Sequence, residues 1–232
     1  MACWETEVAM RAIWDGSISF GLVNIPINLF SCLKGKPFRF HFLHHEDQGR
    51  IRNQMVCEVC GRIVDYKRIV RGYEYEKGKT IALTNKDLTA VRAESTRNIA
   101  ITDFVSQKEI DPSFCDKPYY LAPGRHGERA YSLLCRVLAH TQQVGLGKLV
   151  LHAREHLAAI RAYEEVLMLE LLHFSDELRK PEALGLPANK YKPTKREFDL
   201  AQQLISQLST NFDPEKYQDT YQDALLGLVK QS

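Results

Sequence analysis

The sequence predicts a mixed α+β fold that is dominated by β-strands. Residues 10–32 alternate apolar with small or polar residues at close to the two-residue period of a strand. Similar stretches recur as far as residue 174, interrupted by one convincing helix after Gly127. From Pro181 the pattern changes to a proline-rich linker and two amphipathic helices. A chain of 232 residues is long enough to bury a core of its own.

The opening segment, MRAIWDGSISFGLVNIPINLFSC, is interrupted by Gly16, Gly21 and Pro26. Glycine inside a strand commonly marks a bulge or bend, and proline is tolerated only at an edge or a break. The segment is therefore predicted to be one coiled barrel strand rather than part of a flat sheet. A bulged strand in an ordinary sandwich is the alternative.

Short β-elements and one short helix are expected next. FRFHFLHH alternates as a strand, and β-type pieces are expected near residues 51, 64, 73 and 81. Thr84, three residues before Asp87, resembles a capping box and predicts one or two helical turns.

The stretch from residue 97 to residue 174 predicts five strands and a helix. The strands are RNIAITDFV, KPYYLAP, LGKLVLHAR, LAAIRAY and VLMLELLHF, of which the last is apolar on both faces and therefore expected to be central. In the helix after Gly127, apolar residues share one face at helical spacing: Tyr131, Leu134, Val137 and Leu138.

Residues 181–232 are predicted to form a linker and a C-terminal helical arm. Thr194 and Glu197 form a capping box for the first helix, and Asp213 followed by Pro214 starts the second. Each helix carries an apolar stripe, Phe198, Ala201, Leu204, Ile205 and Leu208 in the first and Tyr217, Tyr221, Leu225 and Leu228 in the second. Two short helices cannot cover these stripes on each other alone, so they must dock on the same chain or on a partner.

The chain carries no sign of secretion or of membrane insertion. The start, MACWETEVA, is acidic and lacks an apolar signal segment, and residues 1–9 are expected to be a disordered extension or a tag. The most apolar run carries Glu170 in its middle. A cytoplasmic protein with reduced cysteines is therefore expected.

Cys57 and Cys60 stand at metal-knuckle spacing, but a closed zinc site needs four ligands. His44, with either His41 or Asp47, could complete a structural zinc site. Two unliganded thiols and a redox pair are the alternatives. A zinc-deaminase site is rejected, because the motif's proline is absent before Cys57 and the spacing is too short. No glycine-rich phosphate-binding motif is present, so no nucleotide cofactor is expected.

The charge is uneven along the chain. Residues 34–79 hold eleven Lys and Arg against six Asp and Glu, whereas the whole chain has a net charge of +2. A solvated surface would explain this excess, and so would a face that binds a polyanion.

The stretch RAIWDGSISFGLVNIPINLFS resembles the N-terminal signature of the bacterial Ku proteins of non-homologous end joining. The resemblance continues, in order, through LHHEDQGRIRNQMVCEVCGRIVDYKRIVRGYEY, DPSFCDKPYYLAP, AYSLLCRVL and NFDPEKYQDTYQDALLGLV, and so covers nearly the whole chain from Met10. It implies a Ku-type β-barrel core over residues 10–180, with a basic insertion, the strap, at about residues 34–80. It also implies a homodimer, joined through the C-terminal arms into a ring that threads onto double-stranded DNA ends.

The same resemblance implies a bacterial, nucleoid-associated, non-enzymatic protein that recruits an ATP-dependent DNA ligase to double-strand breaks. A ring of this kind needs cations facing phosphates and little base readout. The candidate DNA-binding residues are Lys34, Lys36, Arg39, Arg50, Arg52, Arg62, Lys67, Arg68, Arg71 and, more weakly, Arg154 in the loop after LVLHAR. The candidate dimer-arm residues are Phe198, Leu204, Leu208, Tyr217, Tyr221 and Leu225. A zinc-dependent enzyme acting on nucleic acid or nucleotides and a sequence-specific DNA-binding module are the alternative functions.

Overall fold

The structure is a computed structural model that describes residues 10–35, 40–90, 97–152, 154–185 and 192–231. The expected extension at residues 1–9, the candidates Lys36 and Arg39, and linker residues 186–191 lie outside these ranges. The chain divides into two compact units, Met1–Arg179 and Lys180–Ser232.

The first unit is built on a closed barrel, to which seven of its described strands contribute. The nine described strands are β1 Trp14–Phe20, β2 Val23–Ser31, β3 Arg71–Glu76, β4 Lys79–Leu83, β5 Asn98–Ser106, β6 Cys115–Pro123, β7 Gln143–Leu151, β8 Arg154–Tyr163 and β9 Val166–Leu172. The order around the barrel is β1-β2-β6-β9-β8-β7-β5, and the parallel pairing of β1 with β5 closes it. The other neighbouring pairs are antiparallel.

The opening segment forms two strands, so the prediction of one continuous coiled strand was wrong. Phe20 pairs with Val23 across a two-residue turn in which Gly21 has φ of 55°. Glycine adopts this left-handed conformation without a steric penalty, which explains its place at the turn. Gly16 has a different role, because a Cβ there would lie 2.3 Å from the carbonyl oxygen of Arg97. Because the opening segment ends with β2, the basic insertion starts after β2.

Alternate side chains of the barrel strands point inward and fill the core. The completely buried members include Ile18, Ile25, Leu29, Ile99 and Leu149. β9 has buried residues on both faces, as its continuous apolar sequence predicts.

Helix α2, Glu128–Thr141, packs against the barrel. The hydroxyl of Tyr131 donates to the carbonyl of Leu121, at 2.5 Å, and accepts from the N–H of Leu167, at 2.8 Å. One side chain thus satisfies backbone groups of two neighbouring strands. Val137 was expected on the buried face but is 47% exposed, and Cys135 is buried instead.

Residues 40–70 contain no regular strand, so the predicted strand FRFHFLHH was wrong for the described residues. The short β-type pieces predicted near residues 51 and 64 are isolated bridges, Leu43 to Arg50 and Val56 to Ile63, around two tight turns. The predicted pieces near residues 73 and 81 are strands β3 and β4, which pair as an antiparallel hairpin. Helix α1, Asn85–Ala90, is capped as predicted, because Thr84 and Asp87 exchange hydrogen bonds.

The second unit contains the two helices of the arm. Helix α3, Lys195–Leu208, has the predicted capping box of Thr194 and Glu197. Helix α4 begins at Thr220 and ends at Gln231, so the predicted start at Asp213 was wrong. Asp213 caps only a single 3₁₀ turn, Pro214–Lys216, before the chain becomes extended at Tyr217. In the described residues no helix is both long and apolar enough to span a membrane.

Candidate nucleic-acid interface

The strap lies within the insertion between β2 and β5. Its described candidate cations are spread over several local structures, so that they form a series rather than one cluster. Lys34 follows β2, Arg50 and Arg62 close the two tight turns, Arg52 lies between these turns, Lys67 and Arg68 form the 3₁₀ turn Tyr66–Arg68, and Arg71 begins β3. All of these side chains are exposed.

None of these cations forms an ion pair within the part of the chain that the structure describes. Four other cations are paired, three of them on the barrel or beside it. Arg161 and Glu170 are 2.7 Å apart, Lys148 and Glu155 are 2.8 Å apart, Arg97 and Asp15 are 2.9 Å apart, and at the hairpin tip Lys79 and Glu76 are 2.6 Å apart. All seven described candidate cations of the strap are therefore exposed and without an ion-pair partner among the described residues.

Several carboxylates of the strap accept hydrogen bonds from nearby backbone N–H groups. Asp47 accepts from the N–H of Gly49 at 2.8 Å, and Asp65 accepts from the N–H of Lys67 at 3.0 Å. Glu74 accepts from the N–H at residue 78, at 2.7 Å. These hydrogen bonds satisfy the carboxylates locally and hold them at turns, while the neighbouring cations extend into solvent. The surface can therefore present cations to a chain of phosphates.

Arg154 is the first residue of β8, where it pairs with Leu151, so its expected place in a loop was wrong. Its side chain is exposed, and it too forms no ion pair among the described residues. It belongs to the barrel and is remote in sequence from the strap.

The predicted metal ligands are present as two pairs. His44 Nδ1 lies 2.9 Å from Asp47 Oδ1, and hydrogen bonds from Gly49 and His44 hold the pKa of Asp47 below its ordinary value. The backbone N–H of Cys60 and, after it, the Cys60 thiol and the N–H of Val59 lower the pKa of Cys57. No group of three or more such side chains comes together in the described residues, and His41 belongs to neither pair.

The arm residues expose much of their apolar surface. Phe198 is 62% exposed, Leu204 61% and Leu208 81%, and no residue of α3 is buried. In the second part of the arm, Tyr217 and Tyr221 are exposed and Leu225 is half-buried. Tyr217 stacks on Phe212 with ring centroids 6.2 Å apart, a contact that the helical stripe did not predict.

Sequence reasoning missed which cations are neutralised. The Arg161–Glu170 pair joins β8 to β9, and its register becomes visible only once the strands are paired. It also missed that residues 42–51 and 55–64 have the same backbone hydrogen bonds at an offset of thirteen residues, Ile51 N–H to Phe42 and Val64 N–H to Met55. Aligning HHED with CEVC could have revealed this repeat.

The comparisons with known proteins agree with this architecture. The family model for the Ku70/Ku80 beta-barrel domain matches residues 19–200. A non-homologous end joining protein Ku from Opitutus terrae is 40% identical, over 96% of this chain and 80% of the relative. Proteins of the same name from Bacillus subtilis and Archaeoglobus fulgidus are each 38% identical, over 96% and 95% of this chain and 72% and 87% of the relatives. A closed barrel with a cationic insertion, a model match over most of the chain and these identities together establish that the chain belongs to the Ku family.

Proposed function

We propose that the protein binds the ends of double-stranded DNA without sequence preference, as a homodimeric ring, in repair by non-homologous end joining. Its relatives carry the name of that process. The observation that carries the proposal is the series of seven exposed cations on the strap, none of which forms an ion pair among the described residues.

This distribution of charge suits phosphates better than base edges. Phosphate contacts from Lys and Arg position a protein on a duplex, whereas sequence readout needs side chains that fit the edges of particular bases. The strap cations come from turns, a short 3₁₀ helix and a strand start, and no described helix presents several of them together for insertion into a major groove. Binding is therefore governed by the backbone of the DNA and depends strongly on salt.

The second copy is held through the C-terminal arm. Helix α3 exposes a row of large apolar side chains, and such a row in a helix of fourteen residues needs a covering surface. Two arms that cover each other's chains would close the ring, so that duplex enters only through a free end. The protein acts as a scaffold rather than an enzyme, and on the bound end it recruits the ATP-dependent ligase.

The test of end binding is a competition between linear and relaxed closed-circular duplex of the same length and sequence. We expect the linear form to compete at least about tenfold better at about 0.15 M salt, because the circle offers no end for threading. Equal competition by the two forms would refute binding through an end.

The role of the arm is tested with a double substitution in α3, and sedimentation measures whether the protein is a dimer or a monomer. Leu204→Asp combined with Leu208→Asp places charge on the apolar stripe, and we expect the dimer to dissociate to monomers. Gln203→Asp adds a charge on the opposite side of α3, is exposed, and should leave the dimer intact. A dimer that survives both Asp substitutions would place the interface elsewhere.

A further inference from the structure

Tyrosines and cations lie close together in residues 66–75 of the strap, YKRIVRGYEY, which we call the tyrosine segment. It contains three tyrosines and three Lys or Arg residues. The segment starts with the 3₁₀ turn Tyr66–Arg68 and continues into β3. Every residue from 65 to 82 is exposed, so the side chains of the tyrosine segment do not build a core.

The three tyrosine rings are open to solvent. Tyr66 is 77% exposed, Tyr73 63% and Tyr75 50%. Among the described residues, their hydroxyls form no hydrogen bond and their rings contact neither another aromatic ring nor a cation. Tyrosines of the barrel differ, since the Tyr131 hydroxyl binds two backbone groups and the Tyr163 ring lies 5.4 Å from the Arg161 guanidinium. The ring faces of the tyrosine segment are therefore available to a ligand.

The hairpin of β3 and β4 has two different faces. Arg71 pairs with Leu83 and Tyr73 pairs with Ile81, and because side chains alternate along a strand these four share one face. The opposite face carries small or polar residues: Gly72, Glu74, Thr80 and Ala82. One face of the hairpin thus combines a cation, an aromatic ring and apolar surface.

This hairpin has no support from a core. No residue of β3 or β4 is buried, and Ile81 is 51% exposed. A two-stranded hairpin without a packed face is only marginally stable in water. A ligand that covers the face with Tyr73 and Ile81 would therefore also order the hairpin.

The charge of the segment favours an anionic ligand. Lys67, Arg68 and Arg71 form no ion pair among the described residues. The nearby carboxylates of Asp65 and Glu74 accept backbone N–H groups, at 3.0 Å and 2.7 Å. A nucleic-acid strand repeats one anionic phosphate and one flat base, which complements a segment of cations and flat rings.

Only an unpaired strand can use the tyrosine rings. In a duplex the base faces are stacked on each other, and proteins reach the phosphates and the base edges in the grooves. In a single strand the base faces are accessible, and they stack on aromatic side chains while cations follow the phosphates. Stacking of this kind tolerates any sequence, because every base has a flat face.

We propose that the tyrosine segment binds the unpaired strand of a DNA end, with bases stacked on Tyr66 and Tyr73 and phosphates held by the neighbouring cations. Tyr75 is the extra residue at the β-bulge between Glu74 and Glu76 and extends the aromatic surface. The inference rests on the proposed binding of DNA ends. It adds a second class of ligand, the single-stranded overhang that many broken ends carry.

The test compares three DNAs by fluorescence anisotropy with the full chain. The first is a blunt duplex, the second has an extension of about ten thymidines at one end, and the third has an extension of about ten abasic nucleotides. Both extensions carry the same phosphates, so a difference between them reports the bases. We expect the thymidine extension to bind at least about fivefold more tightly than the abasic one.

Substitutions separate stacking from apolar contact. Tyr66→Leu combined with Tyr73→Leu keeps apolar side chains but removes the rings, and we expect the gain from thymidine to fall below about twofold. Tyr66→Phe combined with Tyr73→Phe keeps the rings and should keep the gain. Tyr163→Leu is the matched control, because Tyr163 is a partly exposed tyrosine of the barrel, and it should also keep the gain. Blunt-duplex affinity and sedimentation as a dimer check that each variant is folded.

Four results would overturn the proposal. Equal affinity for the thymidine and abasic extensions would mean that phosphates alone are bound, and an unchanged gain in the double Leu variant would place the stacking elsewhere. Dissociation of that variant to monomers would show that a second copy of the chain covers this face. An equal loss of affinity for the blunt duplex would assign the tyrosines to duplex binding.

Failure of this inference differs from failure of the proposed function. A chain that binds the blunt duplex through its end but shows no gain from thymidine refutes only the inference. A chain that binds none of the three DNAs refutes both.

Discussion

Neutralising three strap cations should make DNA binding less dependent on salt. The variant combines Arg62→Gln, Lys67→Gln and Arg68→Gln. Each substitution removes the positive charge of an exposed side chain that forms no ion pair among the described residues. Each phosphate contact contributes about 0.9 to the slope of log affinity against log salt. Two chains form the ring, so six cations are removed, and roughly half of such side chains face the ligand; the slope should therefore become shallower by about 3.

The size of this effect makes it easy to measure. The salt concentration is raised fourfold for both proteins. With a slope that is shallower by about 3, the factor by which the affinity falls is then about sixty times smaller for the variant than for the wild type. The assay is fluorescence anisotropy with a short duplex, at salt concentrations from about 0.05 to 0.2 M.

The matched control removes the same formal charge from cations that already have partners. Lys79→Gln, Arg97→Gln and Lys148→Gln remove the partners of Glu76, Asp15 and Glu155. We expect the control slope to change by less than about 1, because these side chains are not available to phosphates. Equal slopes in the two variants would refute the reasoning, since net charge rather than the position of the cations would then determine binding.

Three further predictions concern the fold and its thiols. Tyr131→Phe should lower the free energy of unfolding by about 1–3 kcal/mol in urea titrations, because the buried N–H of Leu167 loses its acceptor. Gly147→Ala should cost at least about 2 kcal/mol in the same assay, because the new Cβ would lie 2.5 Å from a backbone carbonyl oxygen of β5. In chelator-treated protein, alkylation of Cys57 should increase at lower pH than alkylation of Cys115, as measured by mass spectrometry. Backbone hydrogen bonds lower the pKa of Cys57, so its thiolate forms earlier as the pH rises, whereas burial and then the Glu170 charge raise the pKa of Cys115.

Each of these predictions has a control or a contrary result. Tyr163→Phe removes a hydroxyl from a partly exposed side chain and should cost less than about 0.5 kcal/mol. Gly35→Ala should be equally mild, because nothing lies within 4 Å of its new Cβ. If Cys115 were alkylated at lower pH than Cys57, the assigned hydrogen bonds to the Cys57 sulfur would be wrong.

Local patterns predicted those parts of the fold whose causes are local. The capping box of Thr194 and Glu197 involves neighbours in sequence, and it forms as expected. The apolar run of β9 predicts burial on both faces, which is what a strand between two others in a barrel has.

Features that depend on distant partners could not be predicted. Alternation in FRFHFLHH is typical of a strand, but the described residues there have no strand beside them to complete a ladder. Leu22 continues the apolar alternation of the sequence, so the pattern gave no sign of the turn at Gly21. In the structure the Leu22 side chain is fully exposed at this turn. The parallel pairing of Ser17 with Asn98, which closes the barrel, joins residues about eighty positions apart, and no local pattern indicates it.

The same limit applies to the candidate site. The sequence identified the cationic segment, because charge can be counted along the chain. It did not show which cations are neutralised, since the pair of Arg161 with Glu170 depends on the register of two barrel strands. It also did not show that the candidate metal ligands near Cys57 and Cys60 are held as two separate pairs among the described residues.

Topological trapping tests most directly whether the protein encircles DNA. The protein is loaded onto a linear duplex, the ends are ligated into a covalently closed circle, and the complex is then challenged with about 1 M salt, which removes phosphate contacts. A protein that encircles DNA should stay on the closed circle and leave as soon as the circle is cut once. Release from the intact circle as fast as from the cut one would contradict it.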